Sequence, residues 1–171
     1  AQAPTPRSAP ISDVRYEVTF NRETAKARSM TVTMTFTAAG ATPVLLSLPA
    51  WTPGAYEITD FAKWVSAFAP TRDGQALGWD KLDYDTWRIR TGGPGPVSVR
   101  FAFRADTLDN AMSWARGEFL LFKGTNVFLY AEGQPLPFPA TVTINTEPEW
   151  LVATGMHATG RRTYREANFH D

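Results

Sequence analysis

The chain has 171 residues, room for one hydrophobic core but short for two, and its lack of cysteine removes disulfides, thiolate catalysis and Cys-ligated metal together. It is 43% hydrophobic and 13% aromatic, which excludes a disordered chain. Lysine plus arginine equals aspartate plus glutamate at 17 each, with no basic stripe or charged tail, so a nucleic-acid binder is excluded.

The first ten residues, "AQAPTPRSAP", have no periodicity and read as a disordered leader over 1–10, the kind of mature end that signal peptidase leaves. From there "SDVRYEVTF" puts Val14, Tyr16, Val18 and Phe20 on one face, the period of two of a half-buried strand. "ARSMTVTMTFT" repeats it with Met30, Val32, Met34 and Phe36 against serine and threonine, and "NRETAKA" between them reads as a hairpin-like connection. "TPVLLSLP" is a third strand ending at or before Pro49. In "TDFAKWV" and beyond, Phe61, Trp64, Val65 and Phe68 fall at helical spacing, which predicts one or two short helical turns behind Asp60. Asp73-Gly74 marks a hairpin turn.

"YDTWRIRT" and "GPVSVRFAFRAD" read as a strand pair turned by "GGPGP", with Val97, Val99, Phe101 and Phe103 on the buried face. "EFLLFKG" and "TNVFLYAEG" read as another hairpin through Lys123-Gly124, and "PATVTINTE" adds a strand with Val142 and Ile144 inward. The fold class is all-β, a sandwich-like arrangement of eight to ten mainly antiparallel strands with little helix, forming a single domain over 11–171. The apolar runs are a few residues long, far from the length that spans a membrane.

Catalytic material is scarce. The only histidines are His157 and His170, and there is no G-x-S-x-G elbow, no HExxH and no glycine-rich phosphate cradle. His157 in "TGMHATG" reads as a solvated loop residue; Glu166, His170 and Asp171 at the tail make no convincing metal set. The pairs Asp83/Asp85 and Asp106/Asp109 read as solvated faces. No catalytic residue, metal ligand or cofactor site is expected in this chain.

One stretch stands apart. "LPAWTPGAYEITDF", residues 48–61, gathers Trp51, Tyr56 and Phe61 around Pro53-Gly54, a pair suited to a type II turn because glycine accepts positive φ at the third position. Trp51 reads as buried beneath that turn and Tyr56 as nearer the rim, where its hydroxyl finds a partner or water. An aromatic shelf for a sugar or peptide is the competing reading, and with it a free-standing β-sandwich binding module.

"LPAWTPGAYEITDFAKWV", "LLFKGTNVFLYAEG" and the terminal "WLVATGM…YREANFHD" resemble, in order and spacing, the N-terminal domain of the M61 metallopeptidases, the glycyl aminopeptidase-like family. The resemblance runs through nearly the whole chain from about Asp13. It implies a zinc-dependent aminopeptidase built from an N-terminal β domain, a thermolysin-like catalytic domain and a C-terminal PDZ-like domain, with the HExxH zinc helix beyond Asp171. On that basis this chain is the β domain. It carries no zinc itself and has its own catalytic domain as partner, with peptide substrate at the rim and no nucleic acid or membrane. It is also expected to be exported, to the periplasm or medium. Candidate cleft-rim or interdomain residues are Trp51, Pro53, Gly54, Tyr56, Thr59 and Lys123. Two of these depart from the family pattern: Thr59 stands where arginine is frequent in the motif, and Lys123 where asparagine is.

Overall fold

Alternating apolar and polar side chains build most of this molecule. A computed structural model describes residues 6–52, 54, 56–108 and 113–169. In chain order come β1 (Ile11–Phe20), α1 (Arg22–Lys26), β2 (Ser29–Ala38), β3 (Val44–Ser47), a 3₁₀ turn (Phe61–Trp64), β4 (Val65–Arg72), β5 (Gln75–Ala76), β6 (Trp79–Lys81) and β7 (Thr86–Ile89). After these come β8 (Gly95–Arg104), β9 (Trp114–Arg116), β10 (Phe119–Leu121), α2 (Gly124–Val127), β11 (Tyr130–Ala131), β12 (Ala140–Thr146), β13 (Ala158–Gly160) and β14 (Thr163–Glu166).

Eight strands form one sheet in the order β13-β14-β12-β1-β2-β8-β4-β5, and four form a second in the order β11-β3-β7-β6; β9 and β10 make a separate two-stranded ribbon. The β1–β12 pairing is parallel and the others are antiparallel. The result is the expected all-β, sandwich-like architecture, with more and shorter strands than the eight to ten expected. The spine is β2 paired with β8 along its whole length, from Ser29 opposite Arg104 to Ala38 opposite Gly95.

The core lies between the two larger sheets. Val32, Met34, Val99 and Phe101 from the large sheet meet Val44, Leu46, Trp87 and Ile89 from the small one in one continuous buried cluster. Phe68 stacks on Trp87 with centroids 5.0 Å apart and lies 6.4 Å from Phe101. Every residue expected to face inward on the period-two strands is buried: Tyr16, Val18, Phe20, Met30, Val32, Met34, Phe36, Val99, Phe101, Val142 and Ile144. Burial of side chains this large is the main source of stability in such a domain.

Several local expectations are corrected. Within the expected leader, Ser8 and Ala9 are buried against the domain. Ser8 N–H donates to the Glu132 carbonyl (2.8 Å), Ser8 Oγ accepts from Leu45 N–H (3.0 Å) and Ala9 N–H donates to the Pro43 carbonyl (3.2 Å). The β1–β2 link holds a capped helix, since Asn21 Oδ1 accepts from Glu23 and Thr24 N–H while Thr24 Oγ1 accepts from Asn21 N–H.

The helical spacing from Phe61 to Phe68 is half correct. Phe61 and Trp64 lie on the 3₁₀ turn, but Phe68 lies on β4, where a bulge between Ser66 and Ala69 sets two residues opposite one and brings Phe68 inward. β7 and β8 are not a hairpin: β7 pairs with β3 and β6, β8 with β2 and β4, so "GGPGP" carries the chain between sheets. Lys123-Gly124 is not a hairpin turn either. It opens α2, with β10 pairing back to β9 and β11 to β3.

Candidate functional site

The 48–61 motif leaves the small sheet at β3 and returns at the 3₁₀ turn. Its base is closed by one atom. The Ala50 carbonyl accepts from Thr59 N–H at 2.8 Å and from Asp60 N–H at 3.0 Å, which makes residues 50–60 a compact loop with its ends tied together. Leu48 and Phe61 on either side are buried, at 1% and 0% exposure. The tip is the reverse: Tyr56 is 100% exposed, Ile58 75% and Trp51 49%.

Trp51 is therefore not beneath the turn, contrary to expectation; the side chain that goes inward is its neighbour Thr52, at 2%. Gly54 has φ +89, as the turn requires, and a Cβ there would meet nothing within 4 Å, so its role is conformational rather than steric. Pro53 lies outside the described residues. Thr59 is buried at 4% and its Oγ1 has no hydrogen-bond partner among the described residues.

Thr52 ties this loop to the second motif. Its Oγ1 lies 3.2 Å from Thr125 Oγ1, and Thr125 Oγ1 donates to Asn126 Oδ1 at 3.3 Å. A hydroxyl has one proton, so Thr52 is the donor and the chain runs Thr52 to Thr125 to Asn126. Thr125 and Asn126 belong to α2, and Lys123 is its exposed N-cap residue, with no capping hydrogen bond from its side chain. Gly124 sits where a Cβ would approach the Phe128 ring to 2.9 Å. That ring is held in place, stacked on Tyr16 at 4.4 Å, and Tyr16 Oη donates to the Leu129 carbonyl at 2.6 Å. Burial pushes the Tyr16 hydroxyl's pKa up, so it stays a neutral donor.

Beside α2 opens a groove of about 530 Å³. Its floor is the large sheet where the small one does not cover it, with Phe20, Val142 and Ile144; Phe122 and Phe128 form one side. The other side is the segment from Trp150 to Met156, ahead of β13. Arg162 clamps the start of that segment, donating to the carbonyls of Thr146 (2.9 Å), Glu147 (2.9 Å), Pro148 (3.0 Å) and Trp150 (2.5 Å). Arg22 pairs with Glu147 at 3.2 Å and with Glu149 on the same stretch. Leu151, next to buried Trp150, is 98% exposed. His157 is exposed as expected, but it has a partner: its N–H and Nδ1 both meet the Glu166 carboxylate, at 2.7 and 3.2 Å. The backbone hydrogen bond, then the ring, hold that carboxyl below its ordinary pKa.

A second cavity of about 510 Å³ lies below the loop base, lined by Ala50, Asp83, Asp85, Tyr130 and Glu132. Asp83 Oδ1 accepts from Asp85 and Thr86 N–H, at 3.0 and 2.8 Å. Asp85 is not the fully solvated carboxylate expected. Its Oδ1 is buried with no hydrogen-bond partner among the described residues, and burial, then Asp60 and Asp83, push its pKa up. Burial likewise raises the Tyr130 pKa to about 12. Asp109 and His170 fall outside the described residues. Among the described residues, no group of three or more His, Cys, Asp or Glu is placed to hold a metal ion.

Of the six residues singled out from sequence, Trp51, Gly54 and Tyr56 share the exposed loop, Thr59 lies at its closed base, and Lys123 stands on the groove. Sequence reasoning missed Thr52, Thr125 and Leu151. No pattern marks a threonine as the link between two loops, whereas Leu151 lies within the third family-like segment, hidden in an aromatic-led run.

The geometry defines an all-β domain in which one side carries an exposed aromatic loop and an open apolar groove. The chain belongs to the Peptidase M61 N-terminal domain family, whose match covers residues 15–171. No curated protein matches it. Among solved structures, an aminopeptidase N family protein from Idiomarina loihiensis has the same fold, with a TM-score of 0.79 at 24% identity over 91% of this chain and 27% of that one. An M1 zinc metallopeptidase from Deinococcus radiodurans gives 0.45 at 17% identity in a mutant bound to a Tyr-Ser-Ala substrate, over 91% of this chain and 38% of that one. Another structure of an M1 zinc metallopeptidase from Deinococcus radiodurans gives 0.44 at 14%, over 94% and 39%. The chain thus spans little more than a quarter of the Idiomarina protein.

Proposed function

We propose that this chain is the N-terminal domain of a zinc-dependent M61-type aminopeptidase, that it packs on the catalytic domain, and that its 50–60 loop borders the substrate cleft. The supporting observation is convergence. The three segments that resemble the family are far apart in sequence, yet Thr52 from the first, Lys123 to Thr125 from the second and Trp150 to Met156 from the third meet around one groove. The described residues do not fit a zinc site, and on this reading the zinc would be held by the catalytic domain. The same reading makes residues 11–171 one domain and the protein an exported one, in the periplasm or medium, which fractionation of the native host tests. No helix among the described residues is long and apolar enough to cross a membrane.

The test is kinetic. Tyr56 is fully exposed, so its hydroxyl ties no two loops together and its change leaves the fold alone. In the full-length enzyme, Tyr56→Phe should keep the thermal midpoint and lower kcat/KM by roughly two- to tenfold, the effect of losing a contact at the substrate. Unchanged kinetics would remove Tyr56 from the cleft. The exposure of Trp51 and Tyr56 also fits a free-standing binding module. Retention of a glycan or peptide by the domain alone on an array, with no coding sequence for a catalytic domain after residue 171, would favour that reading.

A further inference from the structure

Resting on the reading that the 50–60 loop borders the substrate cleft, we propose that Thr52 and Thr125 are positioning residues for that cleft. Their paired hydroxyls fix the angle at which the loop stands on the domain, and with it the place of Tyr56 at the rim.

The loop is closed in a way that leaves its angle open. Thr59 and Asp60 N–H both donate to the one Ala50 carbonyl, so the bonds that join its ends converge on a single atom. Such a closure holds the ends together yet acts as a pivot about which the enclosed residues can rock. A second fixed point sets the direction, and Thr52 supplies it. This residue lies just past the pivot, is buried at 2% exposure and reaches Thr125 Oγ1 at 3.2 Å. Tyr56, 100% exposed, goes wherever the backbone carrying it is held.

Thr125 is a firm anchor because α2 is held in the core. Its neighbours Asn126 and Val127 are both 0% exposed. Phe128 N–H donates to the Gly124 carbonyl at 2.8 Å, and the Phe128 ring stacks on Tyr16 at 4.4 Å. The direction of the bond matters as well. Thr125 gives its proton to Asn126 Oδ1, so Thr52 must donate and Thr125 accept. Valine at position 52 has the shape of threonine but no proton to give, whereas serine keeps the donor. The valine variant also strands no buried donor, since Thr125 retains its own acceptor, so the fold tolerates it.

Kinetics of the full-length enzyme on an alanine-linked chromogenic amide, run beside thermal melts and hydrogen–deuterium exchange, test this. Thr52→Val should raise KM by roughly three- to tenfold with kcat within about twofold, because the rim is displaced while the catalytic groups are untouched. Its thermal midpoint should stay close to the parent's. Exchange should quicken across residues 51–58 but not in β2 or β8. Thr52→Ser should restore most of the lost affinity, and Thr52→Val combined with Thr125→Val should be no worse in KM than the weaker single variant, as expected of two residues that share one bond.

A serine variant as impaired as the valine one would overturn the proposal, since shape and not the hydroxyl would then matter. So would a fall in kcat at constant KM, or a loss of activity that only follows a lowered melting temperature. Tyr56→Phe on the same substrate separates this inference from the reading beneath it. If Tyr56→Phe is impaired and Thr52→Val matches the parent, the loop borders the cleft but is not aimed by Thr52, and this inference alone falls. Parent-like kinetics in both variants would remove both.

Discussion

Trp51 and Phe101 show how differently two large aromatic side chains serve one domain. Phe101 is 1% exposed at the centre of β8 and lies within ring distance of Phe68, whereas Trp51 is 49% exposed on the loop. Phe101→Ala should therefore cost about 3–5 kcal/mol, as a cavity in a tightly packed core does. Trp51→Ala should cost less, roughly 1–2 kcal/mol, since only about half of the side chain is packed. Urea denaturation of the two variants checks both, and equal losses would put Trp51 back in the core. The inward faces of β1, β2 and β8 were readable residue by residue because a period of two assigns each side chain to one face or the other. Trp51 was not readable in that way. Beside a turn, alternation no longer applies, and whether a side chain folds under or stands out depends on what the far end of the loop bonds to. Here the Ala50 carbonyl takes both returning N–H groups, and Thr52 goes inward instead.

Among the elements, β4 is held in a form its residues do not favour. Ala67 has φ +52 within the bulge, left-handed backbone that an alanine adopts at a cost of roughly 1–2 kcal/mol. Ala67→Gly should be neutral or stabilising by up to about 1 kcal/mol, and Ala67→Val clearly destabilising, in thermal melts of the same protein. A glycine variant that melts well below the parent would mean the bulge is not strained there. The bulge also explains why Phe61, Trp64 and Phe68 imitated a helix: a 3₁₀ turn followed by one extra strand residue puts the same side chains on the same side. Strand partners were the least legible feature. Alternation shows which face of a strand is buried but not which strand lies beside it, and a Gly/Pro-rich stretch such as 92–96 serves a hairpin and a crossing between sheets equally well.

For the molecule as a whole, three separated segments had to be brought together before the groove existed, and the sequence held the pieces without the contact between them. The Thr52–Thr125 hydrogen bond joins residues 73 positions apart. The same assembly gathers Asp60, Asp83, Asp85 and Glu132 near the loop base, and this has a pH consequence. Burial, then Asp60 and Asp83, raise the Asp85 pKa above its unfolded value, so its ionised form opposes folding; the penalty is full above the folded pKa and absent below the unfolded one. Asp85→Asn should accordingly raise the melting temperature at neutral pH, with the gain shrinking as acid protonates the parent through the ordinary carboxylate range. Equal melting temperatures at neutral pH would show that Asp85 is not under strain.

The tie at the Ala50 carbonyl has a further consequence, for how such a surface changes over generations. Both bonds that shut the loop come from main-chain N–H groups, at Thr59 and Asp60, so the closure is indifferent to the side chains it encloses. Apart from the inward Thr52, the side chains of Tyr56, Glu57 and Ile58 stand exposed on the loop, open to whatever lies opposite them. Such a stretch works as an exchangeable cartridge: new side chains, or a changed loop length, can be tried against a neighbour while the frame that presents them stays the same.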